Sequence, residues 1–130
     1  MEATQKAVII SRTAGDIVVF EVKGELSRWT SSPPTLSELV KTEVYLGTHR
    51  ILIDFENTKF VDSFGIGEVV ASYASVQNSG GTLKVCRLSD ALFRLFKFTM
   101  IDKIIDVYPT EEAAREAFAK PPAGEIKPKP

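Results

Sequence analysis

Short β-branched runs alternate along this chain with longer segments of helical spacing, and this alternation constrains the fold most strongly. The five runs lie at 7–11, 17–22, 51–55, 82–86 and 104–107. A turn-forming stretch at 13–16 separates the first two runs, which predicts a β-hairpin. Strands that alternate with helices of about 10–15 residues indicate crossover connections. The prediction is an α/β fold in the order ββαβαβαβα, with a mixed, largely parallel sheet of about five strands and helices packed on it.

Each helical segment begins near a polar residue that can cap a helix. Thr35 with Glu38 three residues later matches a capping box, for a helix that ends near Gly47. The second helix has apolar residues at helical spacing, which are Ile66, Val69, Val70, Tyr73 and Val76. Ser89 and Thr110 mark the starts of the third and fourth helices. The run at 51–55 is almost continuously apolar, which is typical of a strand covered on both faces.

The length of 130 residues suits a single domain, predicted as 1–119. The stretch 120–130 mixes charges with prolines and predicts a disordered tail. The single cysteine, Cys86, lies in a predicted strand. We therefore expect it to be a small buried hydrophobe, since no disulfide can form within the chain.

Composition argues against several classes of partner. The formal net charge is −1 without a dominant basic block, so no nucleic-acid partner is expected. The polar first residues lack the apolar core of a signal peptide, and no apolar run approaches a membrane span. These features predict a cytoplasmic protein without a membrane partner. One histidine and one cysteine cannot assemble a usual zinc site, so no metal is expected either.

The junction between a strand and the second helix carries the candidate site. Functional groups of alternating α/β folds gather where strands end and helices begin, and Asp62 and Ser63 lie at such a junction. The N–H groups and dipole at a helix start can hold a phosphate. Gly65 and Gly67 remove side-chain bulk, so we expect them to let a partner surface approach Ser63. The alternative is that Asp62 or Ser63 is only a helix cap.

Phosphorylation of Ser63 would place about 1.5 to 2 negative charges beside Asp62. A helix start tolerates such charge in isolation, whereas a close and desolvated interface beside a carboxylate does not. We therefore expect phosphorylation to switch binding off with little refolding.

Residues 60–67 resemble the signature of the STAS domain of bacterial anti-sigma factor antagonists. That signature is an apolar pair, Asp-Ser, a variable residue, Gly, an aliphatic residue and Gly. Here it is formed by Phe60, Val61, Asp62, Ser63, Phe64, Gly65, Ile66 and Gly67. The stretch 19–26 is similar to the family strand that ends in Gly-Glu-Leu. The resemblance covers roughly residues 8–118 and agrees with the predicted element order.

The resemblance implies a role for Ser63 and a set of partners. In this family the serine after the aspartate is phosphorylated by a protein that is both a kinase and an anti-sigma factor. The unphosphorylated protein would bind that kinase and free a sigma factor, and a PP2C-type phosphatase would reset it. The chain itself would be no enzyme and need no cofactor, because ATP and magnesium belong to the kinase.

Two positions depart from the family pattern. Gly-Glu-Leu is usually followed by an aspartate that lies near the switch, but Ser27 stands here. This departure bears on phosphorylation efficiency or partner choice, and it makes Glu25 and Ser27 accessory positions of the predicted site. Phe64 occupies a position that is more often small and polar. It is either an exposed anchor for a partner or a residue that packs inward.

Two alternative functions stay open. A serine hydrolase would need Ser63 on a strained elbow with a general base nearby. Val61 stands where that elbow has glycine, and the only histidine, His49, precedes the serine. The closer alternative lies within the family, where STAS domains also act as unphosphorylated scaffolds, sensors or subunits of transport systems.

Overall fold

The structure is a computed structural model that describes residues 6–120. The first two strands, β1 (Val8–Ala14) and β2 (Ile17–Leu26), pair antiparallel and form the predicted hairpin. Gly15 in the connecting turn has φ +65, a backbone conformation that glycine adopts without a steric penalty. The predicted tail lies outside the described residues, apart from Lys120.

Four further strands and four α-helices complete the described part of the chain. The strands are β3 (Arg50–Asp54), β4 (Thr58–Val61), β5 (Thr82–Cys86) and β6 (Asp106–Tyr108). The helices are α1 (Leu36–Tyr45), α2 (Ser63–Asn78), α3 (Asp90–Phe98) and α4 (Glu111–Ala119). A 3-10 turn, Ile101–Lys103, follows α3. The α/β class is confirmed, as are the four helices.

Local capping explains where each helix begins. The side chains of Thr35, Asp62, Ser89 and Thr110 each accept a hydrogen bond from a backbone N–H in the first turn of the helix that follows. Glu38 completes the predicted capping box of α1 by accepting from the Thr35 amide at 2.8 Å. These bonds satisfy amide groups that have no partner within the helix.

Within residues 6–120 the sheet has six strands rather than about five, and the element order is ββαββαβαβα. The strand missed by the prediction is β4, which is only four residues long. Strand β3 pairs with β2 only as far as Glu21, which leaves the carboxyl half of β2 free for β4. Strand β4 therefore depends on a partner distant in sequence. The last strand also begins later than predicted, at Asp106.

The two faces of the sheet bury different clusters. Alternate residues of β2 point to opposite sides, so Val18 and Phe20 join the large core beneath α1, α2 and α3, whereas Val19 faces α4. Residues Ile51, Leu52 and Ile53 of β3 are all fully buried. This confirms the prediction of a strand covered on both faces. None of the helices in the described part of the chain is long and apolar enough to cross a membrane.

Candidate functional site

Helix α2 begins at Ser63, and its cap is Asp62. The Asp62 carboxylate accepts a hydrogen bond from the Gly65 amide at 3.1 Å. Ser63 is therefore the first helical residue and its side chain is exposed. Because Asp62 makes the capping bond, the Ser63 hydroxyl is not needed to cap the helix. The sequence allowed either Asp62 or Ser63 to be the helix cap, and in the structure the cap is Asp62.

The turn that follows β2 lies directly beside this helix start. The Asp62 amide donates to the Leu26 carbonyl at 3.3 Å, and the Arg28 amide donates to the second carboxylate oxygen of Asp62 at 3.4 Å. One carboxylate thus binds both the first turn of α2 and the turn after β2. The parallel pairing of Leu26 with Val61 brings these two segments together.

Gly65 and Gly67 have opposite surroundings, although only one residue separates them. A Cβ atom at Gly65 would lie 2.2 Å from the Leu26 carbonyl oxygen and 2.6 Å from Cγ1 of Val61. Gly65 is therefore required by the close approach of α2 to the end of β2, and not by an opening toward a partner as expected. Gly67 is exposed, and a Cβ atom there would meet nothing within 4 Å.

The other residues of the predicted site differ in how far they are exposed to solvent. Ser27 is only 3% exposed, and its hydroxyl shares a hydrogen bond of 2.9 Å with the Thr30 hydroxyl. Glu25 is partly buried and lies opposite Phe60 in the pairing of β2 with β4. Phe64 is half-buried, so both of its predicted roles stay open.

The position of His49 excludes a hydrolase that would use this histidine as its general base. His49 immediately precedes β3, which pairs with the start of β2, whereas Ser63 follows β4, which pairs with its end. Strand β2 has ten residues, so these two ends lie roughly 30 Å apart. A general base must be within hydrogen-bond reach of its nucleophile. His49 is the only histidine in the sequence, and it cannot activate Ser63.

Two features near Ser63 were not predicted from the sequence. Trp29 lies on the turn after β2 and is 85% exposed. A groove of about 290 Å³ runs between β4 and α3, and Val61 and Leu92 contribute to its lining. The sequence signal for Trp29 was an aromatic residue within a polar stretch. The groove had no local signal, since it depends on how β4 and α3 pack.

This arrangement defines a class of protein, a small α/β domain that presents an exposed serine at the start of a helix. A family model for the STAS domain matches residues 8–114, and the chain therefore belongs to the STAS domain family. Membership confirms the predicted family and the STAS fold. It also confirms that the chain is a binding protein and not an enzyme.

Relatives of known function and structure support this assignment. The anti-sigma-B factor antagonist of Bacillus subtilis (strain 168) is 31% identical over 105 residues, which are 81% of this chain and 93% of that protein. An anti-sigma factor antagonist from Mycobacterium paratuberculosis has a similar crystal structure, with a TM-score of 0.80 and 23% identity over 92% of this chain and all of that one. The phosphorylated form of the Bacillus cell fate determinant SpoIIAA has a TM-score of 0.66 and 21% identity, over 85% of this chain and 98% of that one.

Proposed function

We propose that this protein is a cytoplasmic anti-sigma factor antagonist switched by phosphorylation of Ser63. The unphosphorylated form binds an anti-sigma factor that is also a serine kinase, and this binding releases a sigma factor. Phosphorylation ends the binding, and a PP2C-type phosphatase restores it. The observation that carries the proposal is the exposed side chain of Ser63 at the start of α2, beside a carboxylate that already caps the helix. The relation to anti-sigma-B factor antagonists supports it.

Local electrostatics supply the mechanism of the switch. The first turn of α2 contains no acidic residue, so the helix dipole favours an anion there while the site faces water. The Asp62 carboxylate already holds two backbone amides beside this turn. A phosphate on Ser63 adds about 1.5 to 2 negative charges next to it. When a partner excludes water from this surface, the two groups lose hydration and repel each other more strongly.

The binding surface we propose includes Asp62, Ser63, Phe64 and Gly67. Gly65 lies beneath this surface and allows α2 to pack closely against the end of β2. Glu25 and Ser27 act as accessory residues. Ser27 carries an uncharged hydroxyl, which is hydrogen-bonded to Thr30, where the family pattern has an aspartate. In this chain the electrostatic response to phosphorylation therefore depends on Asp62 more than it does in relatives with that second carboxylate.

The test uses Ser63→Ala, Ser63→Asp and Ser63→Glu, titrated against each anti-sigma factor kinase of the source organism. We expect Ser63→Ala to bind like the unmodified protein. The acidic variants should bind roughly 1–3 kcal/mol more weakly, because they add charge at the interface. Gln77→Glu is the matched control, since it adds the same charge at an exposed position of the same helix, about 21 Å along its axis. Equal affinity of all these variants would contradict the electrostatic mechanism.

Incubation with the kinase and ATP, followed by intact-mass and peptide analysis, separates the switch from the scaffold alternative. The switch requires phosphate on Ser63 and loss of the complex. A complex that persists with ATP, without phosphate on Ser63, would favour a scaffold.

A further inference from the structure

Trp29 is the only tryptophan of the chain, and 85% of its surface is exposed. An indole carries a large apolar area that is stabilised when water is excluded from it. Tryptophan is also among the residues most enriched at binding hot spots. The exposed indole of Trp29 is therefore well suited to contact another protein.

The turn that carries Trp29 is tightly bonded. The Thr30 and Ser31 amides donate to the Ser27 carbonyl at 3.3 and 3.1 Å. The Thr30 hydroxyl bonds the Glu25 carbonyl and the buried Ser27 hydroxyl. The Thr30 carbonyl in turn accepts from the amide of Ala7, just before β1, at 3.3 Å. These bonds hold the backbone on both sides of Trp29, so little backbone entropy is lost when a partner covers the indole.

The same turn is joined to the proposed switch. The Arg28 amide lies 3.4 Å from the Asp62 carboxylate, and Trp29 and Ser63 are the next residues in each segment. The carboxylate oxygen lies about 3 Å from the Cα atom of Asp62, so one further residue step on each side places the Cα atoms of Trp29 and Ser63 within roughly 14 Å of each other. A standard interface buries about 800 Å² per partner, which corresponds to a disc with a radius of about 16 Å. A partner centred on Ser63 can therefore reach Trp29.

We propose that Trp29 is the main aromatic anchor of the surface that binds the anti-sigma factor, an inference that rests on the proposed function. The indole enters an apolar pocket of that partner while Ser63 lies within the same interface. The two residues then have separate roles, because Trp29 supplies affinity and Ser63 makes that affinity depend on phosphorylation. The replacement of the usual aspartate by Ser27 fits this division, since the Ser27 hydroxyl helps to hold the turn that presents Trp29.

The experiment compares the unmodified protein with Trp29→Ala, Trp29→Tyr and Tyr45→Ala in titrations against each anti-sigma factor kinase of the source organism. Trp29→Ala should weaken binding about tenfold or more, and Trp29→Tyr should weaken it less. Tyr45 is the matched control, because it is 89% exposed and ends α1 shortly before β3. The start of β3 pairs with the start of β2, whereas Ser63 lies near the end of β2. Truncation of Tyr45 should leave affinity unchanged.

Two further measurements separate a direct contact from misfolding. The thermal unfolding midpoint of Trp29→Ala should match that of the unmodified protein, since an exposed side chain contributes little to the fold. Fluorotryptophan incorporated into this chain alone should give a single fluorine NMR signal. That signal should shift when the kinase binds and return when Ser63 is phosphorylated.

The possible failures are distinguishable. If the unmodified protein binds none of the kinases, the proposed function fails and this inference fails with it. If the unmodified protein binds but Trp29→Ala binds equally well, only the inference about Trp29 is overturned. An unchanged fluorine signal in a formed complex would overturn it too.

Discussion

At the scale of single residues, the start of α2 shows how two glycines of one signature can serve different purposes. Gly65 lies against the Leu26 carbonyl, where any side chain would collide with backbone. Gly67 faces open space and has no left-handed backbone angle that would require glycine. The first glycine is therefore explained by internal packing. The second is explained by nothing inside the described part of the protein.

Alanine at each glycine should change stability in opposite directions. Gly65→Ala should destabilise the fold by about 1–3 kcal/mol, because Leu26 or the helix must move to make room. Gly67→Ala should stabilise it by up to about 1 kcal/mol, because alanine is the better helix former. Denaturant unfolding of both variants measures the free-energy changes. Destabilisation by both substitutions would show that Gly67 also has an internal role.

Gly67→Ala also tests the proposed interface, since this variant should keep the fold. If a partner approaches the exposed backbone closely, the added methyl group should weaken kinase binding despite the gain in stability. Unchanged affinity would show that Gly67 lies outside the interface.

At the scale of elements, a group of charged side chains forms ion pairs and hydrogen bonds that link α4 to the sheet. Arg12 on β1 donates to Glu111, the first residue of α4, at 3.0 Å. Arg87, just after β5, donates to the fully buried Asp54 at the end of β3. Arg87 also lies within 3.8 Å of Glu111. The four side chains thus connect three strands with one helix.

Acid should weaken this attachment. The hydrogen bond from Arg12 lowers the pKa of Glu111 below its ordinary value of 4.5. A lowered pKa contributes stability that is present above about pH 4.5 and is lost as the pH falls through the lowered value. Glu111→Gln should cost roughly 1 kcal/mol at neutral pH, a small value because Arg12 is more than a third exposed.

Unfolding free energies of the unmodified protein and Glu111→Gln, measured from pH 7 to pH 3, check this expectation. The two curves should converge at low pH, because the unmodified carboxyl group is then neutral as well. Parallel curves would show that Glu111 does not account for the acid sensitivity.

At the scale of the whole molecule, we expect the reactivity of Cys86 to measure global unfolding. Cys86 lies fully buried between the sheet and α4, which confirms the prediction of a small buried hydrophobe. Burial raises the pKa of its thiol to about 12, and the nearby Asp54 carboxylate adds to the effect. Because the thiolate is the reactive form, the native thiol should be inert near neutral pH.

Labelling of Cys86 by a disulfide reagent should therefore require unfolding. We expect the free energy of opening from labelling rates to equal that from denaturant unfolding, with the same dependence on denaturant. The unfolded protein should react at once and serves as the positive control. Rapid labelling that is independent of denaturant would show instead that α4 opens locally.

The sequence alone determined the elements whose signals lie within one helical turn or one hairpin. The capping residues Thr35, Asp62, Ser89 and Thr110 bond amides only three positions away, so their helices could be located from local pattern. The signature at 60–67 likewise placed Ser63 where a helix begins. Alternating elements were sufficient to predict the α/β class.

Only the tertiary structure decided the features that depend on contacts between distant segments. Strand β4 forms because it pairs with the carboxyl half of β2, which β3 leaves unpaired. Gly65 is required because the Leu26 carbonyl lies against its Cα atom. Arg12 and Glu111 are 99 positions apart, yet they form one ion pair. Trp29 lies near Ser63 because Arg28 bonds Asp62, 34 positions later. Local rules cannot predict such contacts, because the chain has to fold before these residues meet.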